Sequence, residues 1–195
     1  MIFDIFRSKK VLVTGHTGFK GSWLTLWLAK LGAEVYGYAL PPNTNPNNYT
    51  ASNVSALLKD EALADISDRK TLTEFIHTIQ PDCIFHLAAQ PLVRKSYAEP
   101  AETFDANVMG SIYLMDAVRT MNKPCTVIMI TSDKCYENVG KADGYIESDP
   151  MGGHDPYSAS KGCAELAISS YRRSFFAPEK YGAEHQVHLA SVRAG

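Results

Sequence analysis

The sequence predicts an α/β domain built on a doubly wound, parallel β-sheet. An apolar, β-branched run at residues 11–14 is followed at once by a glycine-rich turn and then by a helical pattern. Further apolar runs alternate with helical patterns along the rest of the chain, as expected when helices connect parallel strands. The 195 residues, 45% of them hydrophobic, are enough for one domain with a sizeable core.

The glycine-rich turn is the element around which the chain is organised. Its three glycines follow the first strand in the pattern T-G-x-x-G-x-x-G. Glycine permits a tight turn and a close approach of a pyrophosphate, while the following helix offers free N–H groups and a positive dipole end. A tight turn without a ligand is the alternative. We expect a dinucleotide to contact Gly15, Thr17, Gly18, Phe19, Lys20 and Gly21.

The helix after this turn should end at Gly32, and a second strand should cover residues 34–40. The second strand does not end in Asp or Glu, the residues that often hold the cofactor ribose at this position. No Arg or Lys follows it before residue 53 to receive a 2′-phosphate, which favours NAD over NADP. The predicted apolar face of the helix consists of Trp23, Leu24, Trp27, Leu28 and Leu31.

A helix over residues 70–79, capped by Ser67 or Asp68, precedes a strand over residues 81–90. This strand ends in small residues, which leave room for a cofactor to lie across the sheet edge. His86 lies inside the apolar run, so we expect a histidine of the core. Residues 91–100 are predicted to form a basic loop, whose Arg94 and Lys95 are either solvated or bind the phosphates of a nucleotide substrate.

A second group of chemically active residues follows a long helix over residues 101–121 and a buried strand over residues 126–132. Tyr157 and Lys161, at i and i+4 on a helix over residues 156–176, share one face. An ammonium group beside a phenol stabilises the phenolate, so the tyrosine can act as a base nearer neutral pH. Ser132, at the end of the buried strand, would hold the substrate alcohol. A surface pair without function is the alternative for an isolated Y-x-x-x-K pattern.

Composition and charge exclude several other classes. The formal net charge of −2 gives no electrostatic reason to expect nucleic acid or a membrane surface as a partner. No apolar run approaches the ~20 residues of a membrane span. The four cysteines are scattered without a C-x-x-C pair, which suggests a reducing cytoplasm and no metal site.

The two motifs together resemble the extended short-chain dehydrogenases/reductases, which share a Rossmann-type fold. The segments TGHTGFKGSWL, HLAAQPLVRKSY, TSDKCYEN and DPYSASKGCAEL resemble the nucleotide-sugar 4,6-dehydratases in particular. Lys134 stands where the dTDP-glucose branch of that family has Glu, a departure that is similar to the CDP-glucose branch. The resemblance implies a role in making the deoxysugars of surface polysaccharide.

The resemblance implies an internal redox cycle with NAD as a bound and regenerated cofactor. Tyr157 would remove the proton of the sugar 4-hydroxyl, Asp133 would protonate the leaving 6-hydroxyl, and Lys134 would assist at C5. Lys134 as a base needs burial, and a carbonyl-polarising or ion-paired lysine is the alternative. Beyond the glycine turn, the expected cofactor contacts are Asp65, Ile66, Leu87, Ala88, Ala89, Asn107, Thr131, Tyr157 and Lys161. The expected substrate contacts are Gln90, Arg94 and Ser132.

Some of these roles have alternatives. Asp65 could cap a helix rather than meet the adenine, and Asn107 resembles a structural or relay asparagine of the family. The resemblance also implies a homodimer through the helices over residues 101–121 and 156–176. A 4-epimerase would share the glycines, Ser132, Tyr157 and Lys161, but has no need of an acid–base pair.

Two further functions remain open at this point: another 4,6-dehydratase, or a cofactor-binding regulatory protein on the same fold. The resemblance implies that a substrate-binding lobe would follow residue 195. Residues 1–195 would then form a single NAD-binding domain, truncated before that lobe. We expect this chain to bind NAD but to convert a nucleotide sugar poorly, as an inactive fragment would.

Overall fold

Six parallel strands form one sheet in the order β3-β2-β1-β4-β5-β6 in the computed structural model, which describes residues 2–195. The predicted doubly wound α/β fold is therefore confirmed. The order reverses between β1 and β4, so a crevice opens outside the carboxyl ends of these two strands. The strands are β1 (Lys10–Thr14), β2 (Glu34–Ala39), β3 (Asp60–Leu63), β4 (Cys83–His86), β5 (Cys125–Ser132) and β6 (Val187–Ala194).

Helices connect the strands along the chain. They are α1 (Phe19–Lys30), α2 (Asn48–Ala51), α3 (Arg69–Ile79), α4 (Val93–Ala98), α5 (Pro100–Phe104), α6 (Gly110–Arg119) and α7 (Pro156–Ser174). The long helix expected over residues 101–121 is present as α5 and α6, joined by a π-helical turn at Asp105–Met109. Such turns are frequent at functional sites, and this one contains Asn107.

The two faces of the sheet are covered by different helices. Side chains alternate along a strand, so Leu12 of β1 faces the cluster formed with α3, α6 and α7. Val11 and Val13 face the opposite cluster, to which α1 contributes Leu28. All three β1 side chains are fully buried, as expected for the central strand of a parallel sheet.

The predicted apolar face of α1 is confirmed for Leu28, which is buried, but is wrong for the two tryptophans. Trp23 and Trp27 are 55% and 56% exposed, whereas small and polar residues of α1 are buried, among them Gly21, Ser22 and Thr25. The reason is the short distance between α1 and the glycine turn. A Cβ at Gly21 would lie 2.1 Å from the carbonyl oxygen of Gly15, so large side chains must point away from the sheet.

Two short elements were not predicted from the sequence. β3 reads D-E-A-L, which has neither the apolar content nor the alternation of a typical strand, yet it pairs with β2 at the sheet edge. The loop prediction for residues 91–100 is also wrong, because Val93–Ala98 form α4. Six residues are too few to show a helical period.

We expect Gly37→Ala to destabilise the fold. A Cβ at Gly37 of β2 would lie 2.7 Å from three atoms of the His16 ring. That ring is fully buried and is held by Glu61, with 2.8 Å between His16 Nε2 and Glu61 Oε2. Overpacking of this kind costs about 1–3 kcal/mol. Urea unfolding would measure the loss.

Gly144→Ala is the matched control, because nothing lies within 4 Å of a Cβ built there. This variant should unfold at the urea concentration of the parent chain or slightly higher, since alanine restricts the unfolded state. Equal unfolding midpoints for Gly37→Ala and the control would contradict the expected clash.

Candidate active site

The glycine turn is held by the ends of β2 and β4. Gly15 has φ +74°, a backbone conformation that favours glycine, and a Cβ there would lie 2.8 Å from the amide nitrogen of Ala88. The Gly15 N–H donates to the carbonyl oxygen of Tyr38 (2.8 Å). The Thr17 hydroxyl donates to the carbonyl oxygen of Leu40 (2.8 Å). The turn is therefore fixed in a shape that no other residue type at position 15 allows.

The residues of this turn fit a dinucleotide pyrophosphate. Helix α1 begins after Gly18 with no side chain bonded to its N-terminal N–H groups and no acidic residue in its first turn. Those N–H groups and the helix dipole favour an anion at this end. A Cβ at Gly18 would lie 3.3 Å from the Gly15 carbonyl oxygen, so the turn packs closely on itself. Phe19 and Lys20 are exposed beside it.

A buried polar chain begins at Thr14, the last residue of β1. Its hydroxyl oxygen accepts the N–H groups of Leu87 and Ala88, each at 3.1 Å. Its one proton is therefore donated to His86 Nδ1 (2.8 Å), so His86 carries its proton on Nε2, which lies 3.2 Å from the Ser111 hydroxyl oxygen. His86 is thus a satisfied core residue, as predicted.

Asn107 continues this polar network toward α7. Its side-chain amide donates to the Ser160 hydroxyl (2.8 Å) and to the Gln90 carbonyl (3.1 Å), and its side-chain oxygen accepts the Gln90 N–H (2.7 Å). The Gln90 side chain bonds to Leu92 and Thr103. The predicted contact residues Gln90 and Asn107 are thus hydrogen-bonded to each other and to neighbouring residues of the chain. Asn107 joins the end of β4 to the start of α7.

The end of β5 carries the predicted serine, aspartate and lysine. The Ser132 hydroxyl donates to Asp133 Oδ1 (3.0 Å) and accepts the Lys134 N–H (3.3 Å). Lys134 Nζ lies 3.0 Å from Asp133 Oδ2. Partial burial acts to raise the pKa of Asp133, but the hydrogen bonds from Lys134 and Ser132 outweigh it and hold this pKa below its usual range. Asp133 is therefore ionised near neutral pH.

Lys134 is not in the buried environment that the sequence analysis expected for a base. Its side chain is 59% exposed, and its ammonium group is paired with Asp133. The structure therefore corresponds to the ion-paired alternative for Lys134. The neighbouring Thr131 is buried, and its hydroxyl donates to the carboxylate of Glu165 rather than pointing to open solvent.

Helix α7 presents Tyr157 and Lys161. Asp155 caps this helix by accepting the Ser158 N–H (3.0 Å) and hydroxyl (2.6 Å). Lys161 is only 7% exposed, whereas Tyr157 is half-buried. Burial lowers the pKa of Lys161 to about 8, against the opposing effect of Glu165.

The glycine turn and α7 lie at the same edge of the sheet. Lys20 of the turn is close enough to Lys161 for its charge to act on it. Cys135, in the turn that follows β5, acts on Lys161 with the opposite sign. The two motifs, which lie near opposite ends of the sequence, are therefore brought together by the fold.

The other predicted cofactor and substrate contacts are either exposed or part of the core. Asp68 is the N-cap of α3, its Oδ1 accepting the Thr71 N–H (3.1 Å). Asp65 is exposed and accepts the N–H and hydroxyl of Ser67, each at 2.9 Å. Ile66 is buried against Gly110 of α6, where a Cβ would approach it to 2.8 Å. Arg94 is exposed on α4.

Sequence reasoning missed the buried charges behind the site. Glu165, four residues after Lys161 on α7, is 4% exposed and bonded to Arg193 of β6. Its signal in the sequence was an acidic residue between the apolar residues Ala164 and Ile168, on the face that carries Lys161. A buried carboxylate at such a place requires a partner.

Within residues 2–195, no three His, Cys, Asp or Glu side chains are grouped so that they could hold a metal ion. In the same part of the chain, none of the helices combines the length and the apolar character needed to cross a membrane. Cys83 and Cys125 are buried, and burial raises the pKa of each thiol to about 12.

Comparison with known proteins agrees with this picture. A family model described as GDP-mannose 4,6 dehydratase matches residues 12–180. A CDP-glucose 4,6-dehydratase of Salmonella typhimurium is 50% identical over 192 residues, which cover 98% of this chain and 53% of that protein. A CDP-paratose 2-epimerase of Salmonella typhi is 30% identical over 85% of this chain and 54% of that protein. The chain spans about half the length of these curated relatives.

Solved structures with the same fold include a dTDP-glucose 4,6-dehydratase from Streptomyces venezuelae with NAD and TYD bound. It has a TM-score of 0.73 and 25% identity, and the match covers 86% of this chain and 52% of that one. A UDP-glucose 4-epimerase from Thermus thermophilus in complex with NAD has a TM-score of 0.74 and 27% identity, with 86% and 52% covered.

His86 should make folding stability decrease as the pH falls. Burial lowers the pKa of His86 to about 3, and the charge of Lys161 acts in the same direction. The unfolded histidine titrates near ~6.5, so below that pH the unfolded state binds more protons and stability is lost. Between roughly pH 7 and pH 5 this loss is about 2 kcal/mol. Urea unfolding at the two pH values measures it.

His86→Gln should remove this part of the loss, so its stability should change less between the two pH values than that of the parent chain. His16, whose pKa is also lowered by burial, contributes with the same sign in both proteins. His154→Gln is the control, because His154 is exposed. An unchanged pH dependence in His86→Gln would contradict this expectation, because it would mean that His86 has the same pKa in the folded and the unfolded state.

Proposed function

The chain belongs to the GDP-mannose 4,6 dehydratase family of extended short-chain dehydrogenases/reductases, and from this premise we propose that it catalyses a nucleotide-sugar 4,6-dehydration. We propose CDP-glucose as the substrate, because the Salmonella typhimurium relative that is named for this activity is 50% identical to the chain. The product would be CDP-4-keto-6-deoxyglucose.

We propose NAD as the cofactor, held through its pyrophosphate by the glycine turn and through its adenine by Asp65 and Ile66. When bound, NAD would supply the chemistry of a reversible hydride acceptor, which the chain's own side chains cannot provide. The absence of a basic residue between Leu31 and residue 53 supports NAD over NADP, since a 2′-phosphate would find no cation there. Two solved structures with this fold have NAD bound.

In this mechanism Tyr157 removes the proton of the sugar 4-hydroxyl. Lys161 stabilises the resulting phenolate, and its burial strengthens that effect because few water molecules screen the charge. Ser132 orients the 4-hydroxyl by a hydrogen bond. The helix cap at Asp155 supports this role, because it holds the first turn of α7, which carries Tyr157.

Asp133 and Lys134 are the acid–base pair that we propose for the loss of water. The 4-ketone acidifies the C5 proton, so a base at C5 and an acid at the 6-hydroxyl can eliminate water. The ion pair at 3.0 Å supports this, because transfer of one proton from Lys134 Nζ to Asp133 produces both a neutral acid and a neutral base. Exclusion of water by the bound substrate favours that transfer, since a low dielectric disfavours separated charges.

This ion pair is also the observation that carries the choice of function. A 4-epimerase would need the glycine turn, Ser132, Tyr157 and Lys161, but no acid–base pair for elimination. The Asp133–Lys134 pair beside Ser132 therefore favours a 4,6-dehydratase. The chain spans about half the length of its relatives, so we propose that the further segment of those proteins supplies residues that grip the nucleotide.

The test uses the chain as printed and a chimera in which the unmatched part of the Salmonella typhimurium relative follows residue 195. We expect the chimera to convert CDP-glucose to the 4-keto sugar, because remote binding energy positions the sugar. Tyr157→Phe in the chimera should lower kcat by about 10²–10⁴-fold. The formation of the 4-keto product is the measurement.

Tyr97→Phe is the matched control in the chimera, since Tyr97 is an exposed tyrosine on α4. It should leave kcat unchanged, and calorimetry should show that Tyr157→Phe still binds NAD. Release of a 4-epimer without a 4-keto sugar would favour the epimerase. Full activity of the printed chain alone would show that the substrate site lies within residues 1–195.

We propose in addition that the protein is a homodimer through α5, α6 and α7. Leu166 of α7 is 62% exposed, and the partly buried Val108 and Ile112 lie on the neighbouring helical segment. Leu166→Glu should weaken the dimer, because a charge would be buried at the interface. Val139→Glu, at a 72% exposed loop position, is the control. Light scattering that finds the parent chain monomeric at every concentration would contradict this proposal.

A further inference from the structure

A buried ion pair that the mechanism does not use lies behind the proposed site. Arg193 Nη2 is 3.0 Å from Glu165 Oε2, and the two side chains are 17% and 4% exposed. Glu165 lies one helical turn after Lys161 on α7, and Arg193 lies near the end of β6. A carboxylate in such a place is costly unless its partners satisfy it completely.

The partners of this pair come from β6 itself and from two further segments. Glu165 accepts hydrogen bonds from the hydroxyls of Thr131, on β5, and Ser191, on β6, the latter at 3.1 Å. Arg193 Nη1 lies 2.6 Å from the Tyr136 hydroxyl oxygen, and its guanidinium is 4.9 Å from the centre of the Tyr136 ring. Both charges are thereby satisfied by the described residues that surround them.

The positions of these partners are the reason to assign the pair a role. Thr131 directly precedes Ser132, and Tyr136 follows the turn that contains Asp133 and Lys134. The pair thus touches each segment that carries a proposed catalytic group. Removal of one charge would leave the other buried without an opposite charge beside it. The two side chains are therefore expected to act as a coupled pair.

We propose that Glu165 and Arg193 are a positioning pair, which holds α7 against the ends of β5 and β6 and sets the balance of charge next to the Lys161 ammonium group. The catalytic role of Lys161 rests on the proposed function, whereas the effect of the Glu165–Arg193 pair on the charge of Lys161 does not. Glu165 supplies the negative charge and Arg193 neutralises part of it.

Four titratable groups act on or face Lys161 from the elements around it. Glu165 and Cys135 favour the charged ammonium, and Lys20 opposes it. His86 is neutral, because its burial lowers its pKa to about 3. Glu165 is the one carboxylate among them and is ion-paired with Arg193, whereas burial raises the pKa of the Cys135 thiol. Substitution of Glu165 should therefore change the ionisation of Lys161 more than substitution of Cys135, Lys20 or His86 would.

The experiment measures the pKa of Lys161 by NMR in the full 195-residue chain, labelled with ¹³C-lysine and without NAD. Lys161→Met identifies the signal by its disappearance. Glu165→Gln should lower the pKa of Lys161 by about one pH unit, because an anion near the ammonium is lost. Glu179→Gln is the matched control, since Glu179 lines the same surface cavity as Glu165 but is exposed, and it should shift the pKa by less than about 0.2.

Arg193→Gln provides the second arm, with the opposite sign. Removal of the guanidinium leaves the Glu165 carboxylate less neutralised, so the pKa of Lys161 should rise. A role confined to structure would lower the urea midpoint of both variants and leave the pKa of Lys161 unchanged, which would overturn the proposal. Shifts of the same sign in the two variants would overturn it as well.

A variant that fails to fold does not prevent the test. If Glu165→Gln does not fold, the measurement on Arg193→Gln decides the question, because the pKa of Lys161 should rise in that variant. If neither folds, the double variant leaves no unpaired buried charge, and its Lys161 pKa should fall, because the charge of Glu165 acts on Lys161 directly whereas Arg193 acts through Glu165. An unchanged pKa there would overturn the proposal. None of these measurements needs turnover, so a chimera that fails to convert CDP-glucose would count against the proposed function only.

Discussion

The close contact between the glycine turn and the ends of β2 and β4 is the constraint on which the rest of the structure depends. Gly15 lies so near the backbone of Ala88 that a Cβ would approach it to 2.8 Å, and Gly21 packs on Gly15 in the same way. This contact brings the start of α1 to the crevice between β1 and β4. The side of α1 that carries Gly21, Ser22 and Thr25 is therefore the side that packs inward, and Trp23 and Trp27 are exposed.

From that edge a continuous polar network runs into the second half of the domain. Thr14 fixes the proton of His86, His86 contacts Ser111, and Asn107 reaches Ser160 on α7. Buried polar groups of this kind are stable only when each has a partner, so a small displacement of one member affects the others. The π-helical turn at Asp105–Met109 places Asn107 within reach of both the end of β4 and the start of α7.

The charges of the site fall into two environments with different consequences. Asp133 and Lys134 lie at the surface, where water screens their ion pair. Lys161 is buried one helical turn before Glu165, whose charge acts on its ionisation with little screening by water. Salt therefore weakens the exposed ion pair more than it weakens the interactions of Lys161.

The sequence by itself determined the alternation of strands and helices, the glycine turn, and the placement of Tyr157 and Lys161 one turn apart on the same helix. These features depend on neighbours within a few residues, where periodicity and glycine chemistry are sufficient. Only the tertiary structure decided which face of α1 is buried, that Lys134 is exposed, and that Glu165 meets Arg193. These outcomes depend on distances between segments remote in the sequence. Trp23 shows the reason: its apolar character predicted burial, but the side of α1 that meets the sheet carries Gly21, Ser22, Thr25 and Leu28, and Trp23 lies outside it.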